Sequence, residues 1–140
     1  MSGQYAGDVT SREAWEVLER DPKAVLLDVR TDAEWSYVGL PDLSVLEKRT
    51  LRVSWQHYPE QTLNPDFVAE VTGHGLASDQ PLLIICRSGV RSRNAAIALT
   101  ARGYSHCFNV SDGFEGGHDG ERHRGVQDGW KAAGLPWRQE

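Results

Sequence analysis

The chain has 140 residues, 39% of them hydrophobic and 25% charged, with a formal net charge of -5. That size and balance suit one domain, 1–140, that buries a core, and they exclude a disordered chain. The mild acidity argues against nucleic acid as a partner, since duplex binding needs a basic face.

No apolar run approaches the roughly 20 residues that cross a bilayer. The first eight residues, Met1 to Asp8, lack the basic and then apolar pattern of a signal peptide. No membrane partner is therefore expected. The two cysteines, Cys86 and Cys107, are too few for a disulfide scaffold and form no C-x-x-C pair for zinc. A reducing cytoplasm is the expected compartment.

In chain order, Thr10-Ser11-Arg12-Glu13 is a capping-box pattern, and Ala14, Trp15, Val17 and Leu18 follow at helical spacing. Asp21-Pro22 stops that helix. Residues 24–29 form a short apolar run without alternation, which predicts a buried strand. Thr31-Asp32-Ala33-Glu34 is a second capping box and opens a short helix through Trp35 and Tyr37. The stretch 39–62 is irregular, with a strand expected over 51–55. Asn64-Pro65-Asp66 places an N-cap, a proline at the first helical position and an acid in the first turn, so a helix should run to Thr72.

Leu82-Leu83-Ile84-Ile85 is the strongest buried-strand signal in the chain. A helix follows over 91–102, closed by Gly103. Cys107-Phe108-Asn109-Val110 predicts another strand, 112–125 a loop rich in glycine and histidine, and 126–133 a last short helix. Strands alternating with helices predict an α/β fold with a mostly parallel central sheet.

Between the 82–85 strand and the 91–102 helix lies Cys86-Arg87-Ser88-Gly89-Val90-Arg91. A thiol becomes a useful nucleophile as thiolate, which a helix N-terminus and nearby cations favour. Cys86 ends an apolar strand, where open α/β sheets place their ligands. Gly89 can take a positive φ. Successive amides in such a turn can form an anion nest, and the helix dipole adds to it. Arg87, Arg91 and Arg93 add cations. The site is thus expected to stabilise an anionic sulfur and to attract a small anion. Attack on a sulfane sulfur to give a Cys86 persulfide fits this, and so does attack on phosphate or arsenate. The bland alternative is an inert cysteine that ends a strand.

Leu26-Leu27-Asp28-Val29-Arg30 with Glu34-Trp35, and Leu83-Ile84-Ile85-Cys86-Arg87-Ser88-Gly89-Val90-Arg91-Ser92, make the chain resemble a single-domain rhodanese. Gly103-Tyr104, Asn109-Val110, Gly113-Phe114-Glu115-Gly116 and the stretch from Gly129-Trp130 to Pro136-Trp137 extend the resemblance over 8–137. It implies a parallel sheet with helices on both faces, and a sulfurtransferase. Cys86 would take the outer sulfur of thiosulfate and pass it to cyanide, a thiol or a protein acceptor. The backbone amides of Arg87, Ser88, Gly89, Val90, Arg91 and Ser92 would hold the persulfide, and the Arg87 and Arg91 side chains would help bind the anionic donor.

The resemblance implies no metal and no organic cofactor. Related phosphatases and arsenate reductases have five residues between cysteine and arginine. Here there are four, a shorter loop that suits sulfur. A sulfur carrier or sensor that serves one protein partner is the other reading. The family's Gly-His-Ile-Pro-Gly-Ala stretch is Val38-Gly39-Leu40-Pro41-Asp42-Leu43 here, without the histidine, and the segment 46–64 is long.

Asp28 and Arg30 are expected beside the site in a supporting role, joined in an internal pair that links Arg30 to Glu34 or Asp28 to a loop amide. Cys107 is expected in the core, with a resolving thiol as its functional alternative. His118, Asp119, Glu121 and His123 match no compact zinc spacing and are expected in a solvated loop. Trp55, Trp130 and Trp137 are expected to pack.

Overall fold

Local signals close the first helix as the sequence predicts. The computed structural model describes residues 4–57, 59–60, 62–117 and 128–139. Strand β1 (Gly7–Val9) leads into α1 (Ser11–Arg20), where the Thr10 hydroxyl accepts from the Glu13 amide at 3.1 Å and the Glu13 carboxylate accepts from the Thr10 amide at 2.8 Å. Strand β2 (Val25–Asp28) follows, then α2 (Asp32–Tyr37), capped in the same way by Thr31 and Glu34. Each such cap contributes about 1 kcal/mol.

The chain continues through β3 (Leu40–Pro41), a short 3₁₀ turn (Ser44–Leu46), β4 (Thr50–Arg52), β5 (Gln56–His57) and β6 (Thr62–Leu63). After these come α3 (Phe67–Thr72), β7 (Leu82–Ile85), α4 (Val90–Ala101), β8 (Cys107–Val110) and β9 (Trp137–Arg138).

Five strands form one parallel sheet in the order β1-β8-β7-β2-β4. Residues of β7 alternate between its two faces. Leu82 and Ile84 join Phe67, Val71, Ala95, Ala96 and Leu99 in one core cluster, beneath α3 and α4. Leu83 and Ile85 join Ala14, Leu18, Phe114 and Trp130 in the other, beneath α1 and the C-terminal segment. Helices therefore cover both faces, which is why β7 reads as a continuous apolar run. No helix among the described residues is long and apolar enough to cross a membrane.

Several boundaries differ from expectation. The predicted strand over 51–55 is shorter: the Val53 and Trp55 amides still donate to the Asp28 and Val29 carbonyls, but from irregular backbone that sets Trp55 edge-on against Phe67, centroids 5.0 Å apart. Helix α3 starts two residues later than its proline suggested. Asn64 Oδ1 accepts from the Asp66 amide at 3.0 Å, and its Nδ2 donates to the Ser54 carbonyl and to Glu70, which holds an Asx turn ahead of the helix.

The helix expected over 126–133 is absent from its described part, residues 128–133, which form bends and turns. There the Trp130 and Lys131 amides donate to the Gly113 and Phe114 carbonyls, so they are spent on a neighbouring turn. Strands β1, β3, β5, β6 and β9 were not expected.

Candidate functional site

Cys86 directly follows β7, in register with the end of β2, so it sits at the carboxyl edge of the sheet. Residues 86–89 then turn into α4. Gly89 has φ +103, and a Cβ there would lie 2.3 Å from the Ser111 carbonyl oxygen. Only glycine fits that turn. Its geometry directs the Gly89 amide to Cys86 Sγ at 3.2 Å and the Ser92 amide to the same atom at 3.3 Å. The N-terminus of α4 adds its positive potential. Cys86 is 1% exposed, yet it lines a cavity of about 840 Å³.

The loop carbonyls point the other way. Cys86 O accepts from the Phe114 amide at 2.8 Å, and Arg87 O accepts from the Glu115 and Gly116 amides at 3.0 and 3.1 Å. The Gly113 backbone packs so closely under Arg87 that an added Cβ would lie 2.3 Å from Arg87 O. Acceptors tied down on one side leave donors facing the sulfur on the other. Among the described residues the amides that reach Sγ of the free thiol are those of Gly89 and Ser92.

Ser92 contributes its side chain as well. Its hydroxyl lies 3.2 Å from Cys86 Sγ and 2.5 Å from Asn109 Oδ1. Asn109 Nδ2 donates to Asp8 at 3.0 Å, and Tyr5 donates its hydroxyl to the same carboxylate oxygen at 2.8 Å. Sequence reasoning missed Asn109 and Asp8. The available signal was a buried amide within an otherwise apolar strand, which needs partners.

The cations are placed unequally. Arg91 makes a two-pronged pair with Glu34, at 2.6 and 2.9 Å. Partial burial on its own would raise the Glu34 carboxyl, but the bonds and charge of Arg91, with the Thr31 amide, hold it below the usual glutamate range. Burial opposes the Arg91 charge, and Glu34 outweighs it, with smaller help from Cys86 and Asp28. Arg87 is exposed and lines the cavity, as do Ser88 and Val90.

Asp28 and Arg30 are both fully buried and pair with each other at 2.7 Å; Asp28 also accepts from the Arg30 backbone amide at 3.1 Å, and among the described residues Arg30 makes no hydrogen bond to Glu34. Arg30 also donates to the Gly39 carbonyl at 2.8 Å and lies 4.4 Å from the centre of the Phe114 ring. Arg30 thus lies against the residue whose amide donates to the Cys86 carbonyl.

Cys107 is fully buried, and burial pushes its thiol upward; its Sγ donates to the Tyr104 carbonyl at 3.6 Å. Trp130 is fully buried, while Trp137 is 41% exposed. His118, Asp119, Glu121 and His123 lie outside the described residues. Among the described residues no cluster of histidine, cysteine and carboxylate is arranged to hold a metal.

A family model described as the STR4 middle domain matches residues 6–140. The crystal structure of Rv0390 from M. tuberculosis superposes with a TM-score of 0.89 at 46% identity, over 98% of this chain and 100% of that one. An uncharacterised protein of Rickettsia conorii is 39% identical over 134 residues, covering 94% of this chain and 96% of that protein. The thiosulfate sulfurtransferase GlpE of Actinobacillus succinogenes is 29% identical over 129 residues, covering 92% of this chain and 87% of that protein. The fold is rhodanese-like.

Proposed function

Because this chain belongs to the STR4 middle domain family, we propose that it moves a sulfane sulfur from thiosulfate or a similar anionic donor to a thiophilic acceptor, carrying it as a Cys86 persulfide. One observation carries the reading: a cysteine at the floor of a cavity receives backbone N–H bonds from Gly89 and Ser92. Those donors favour negative charge on sulfur and are already aimed before reaction, so little reorganisation is needed. Identity to GlpE supports the same chemistry.

The Cys86 thiolate attacks the outer sulfur of thiosulfate. A Cys86 S–S bond forms, the donor's S–S bond breaks, and sulfite leaves with the bonding pair. An acceptor nucleophile then takes the outer sulfur, and the pair of the Cys86 S–S bond returns to Sγ. The exposed Arg87 guanidinium meets the incoming anion. A reducing, cytoplasmic compartment suits two free thiols, Cys86 and Cys107.

Phosphoryl or arsenate chemistry is disfavoured by the Arg91–Glu34 pair, which occupies the arginine that such an oxyanion would need. Intact-mass spectrometry after incubation with thiosulfate tests the proposal. Wild type should gain one sulfur, removed by cyanide with release of thiocyanate, and Cys86→Ser should gain none. A Cys86→Ser variant with undiminished thiocyanate production overturns it.

A further inference from the structure

The hydrogens of the network behind Cys86 run in one fixed direction, and that direction decides what Ser92 offers the sulfur. Asp8 Oδ1 accepts from the Tyr5 hydroxyl at 2.8 Å and from the Asn109 side chain at 3.0 Å. The bond to Asp8 pushes the Tyr5 hydroxyl upward, so Tyr5 stays a donor. An ionised carboxylate only accepts, so the Asn109 edge that faces it is Nδ2. The opposite edge, Oδ1, then faces Ser92 Oγ at 2.5 Å, and an amide oxygen also only accepts. The Ser92 hydroxyl therefore gives its single proton to Asn109. Toward Cys86 Sγ, 3.2 Å away, it presents lone pairs.

The two middle members are held in place. Ser92 is fully buried in α4, and Asn109 is 3% exposed on β8, between β1 and β7. The sulfur thus meets partners of opposite preference. The Gly89 and Ser92 amides donate to it and favour the anion. The Ser92 hydroxyl oxygen accepts from it and favours S–H. Asn109 has no titratable group, so the chain orients hydrogens without conducting protons.

Resting on sulfur transfer through Cys86, we propose that Asn109 is a positioning residue: it locks the Ser92 hydroxyl as an acceptor toward Cys86 and so holds the resting sulfur as a thiol against the pull of the two amides. The thiol proton leaves through the cavity, and the Ser92 lone pairs then face a thiolate. A thiolate that fewer donors stabilise is the stronger nucleophile toward a sulfane sulfur.

Among the described residues, the charged and titratable groups around this sulfur come from several elements. They are Arg91 with Glu34, the Asp28–Arg30 pair of β2, Arg87 and Glu115 in the cavity lining, and Asp8, Tyr5 and Arg93 beyond Asn109. Substitutions at Ser92 and Asn109 change none of these charges, so a shifted titration reports the hydroxyl.

The pH profile of iodoacetamide alkylation at Cys86 tests the assignment, read by peptide mass spectrometry so that Cys107 is counted apart. Asn109→Leu keeps the branched shape and releases the Ser92 hydroxyl to donate to Sγ. Its midpoint should fall by about one pH unit, the tenfold change that one charge-assisted bond supplies. Ser92→Ala removes the acceptor without adding a donor, and its midpoint should fall by less. The double variant should match Ser92→Ala, because Asn109 acts only through the hydroxyl.

A midpoint that rises in Ser92→Ala means that the hydroxyl donates to the thiolate, and it overturns the proposal, as does a midpoint that stays. That variant exchanges one small helical residue for another, so it decides the matter even where Asn109→Leu does not fold. An unmoved midpoint in Asn109→Leu, or a double variant that falls as far as that single one, overturns the proposal too. Failure of the wild type to load from thiosulfate or polysulfide removes sulfur transfer, while the alkylation midpoints still decide the direction of the hydroxyl.

Discussion

Glu34 takes part in local capping and in a long-range ion pair at once, and the two can be separated. Its carboxylate accepts from the Thr31 amide at 3.2 Å, closing the capping box of α2, and it holds both prongs of Arg91. Glutamine keeps the capping box but loses the charge. In Glu34→Gln, Arg91 should turn into the cavity, and the KM for thiosulfate should fall severalfold, about what one charge-assisted contact supplies. Steady-state kinetics decides this; an unchanged KM would mean that Arg91 cannot reach the donor.

The same substitution has a signature in acid. Glu34 titrates below its ordinary value near 4.5 in the folded protein. Its stabilising contribution is therefore complete above the unfolded pKa and is lost as pH falls through the lower folded one. Below about pH 4.5 the urea midpoint of wild type should drop more steeply than that of Glu34→Gln. Parallel curves would leave the pair without thermodynamic weight. The family resemblance made Arg91 a donor-binding cation, and nothing local reveals that a residue 57 positions away already holds it.

Two elements built from different parts of the chain make the sulfur cradle: the 86–92 turn into α4, and the Gly113 turn beneath it. Gly113 has φ +66 and no room for a Cβ beside the Arg87 backbone. Gly113→Ala should cost about 1–3 kcal/mol through strain alone. It should also reduce sulfur loading of Cys86, because the bonds from Phe114, Glu115 and Gly116 that fix the loop carbonyls would shift. Among the described residues nothing lies near a Cβ at Gly117, and Gly117→Ala should stay within about 0.5 kcal/mol. Urea unfolding of both, with loading by mass, checks the pair. Equal loading in the two variants would separate the lower turn from the site.

Elements with local signals were legible: both capping boxes, β7, β8 and α4 within a residue of its expected start. The strands β3, β5, β6 and β9 have two residues each, too few for any periodicity to register. They exist because distant segments supply their partners, as Trp137–Arg138 does for Leu40–Pro41.

Across the whole molecule, the buried Asp28–Arg30 pair joins parts that share no local sequence. Arg30 reaches from the end of β2 to the Gly39 carbonyl, just before β3, and covers Phe114, whose amide holds the Cys86 carbonyl. The pair's place beside the cysteine strand was legible in the Asp28-Val29-Arg30 spacing. Its partners were not, because Gly39 and Phe114 are brought in by the fold.

Both side chains are fully buried, so removing one leaves the other as an uncompensated charge in the core. Asp28→Asn should therefore cost about 3–5 kcal/mol. Arg30→Met should cost less. Arg30 Nη1 has no partner among the described residues, and methionine removes that unmet donor together with the charge while keeping an apolar stem against Phe114. The double variant should cost less than the sum of the singles, since each single strands a charge that the other change abolishes. Urea titration of the three variants, with sulfur loading measured on each and on Arg30→Ala, tests the arrangement. Additive single costs would mean that the two charges act independently, and loading undiminished in Arg30→Ala, which withdraws the stem from Phe114, would break the link from Arg30 through Phe114 to the cysteine loop.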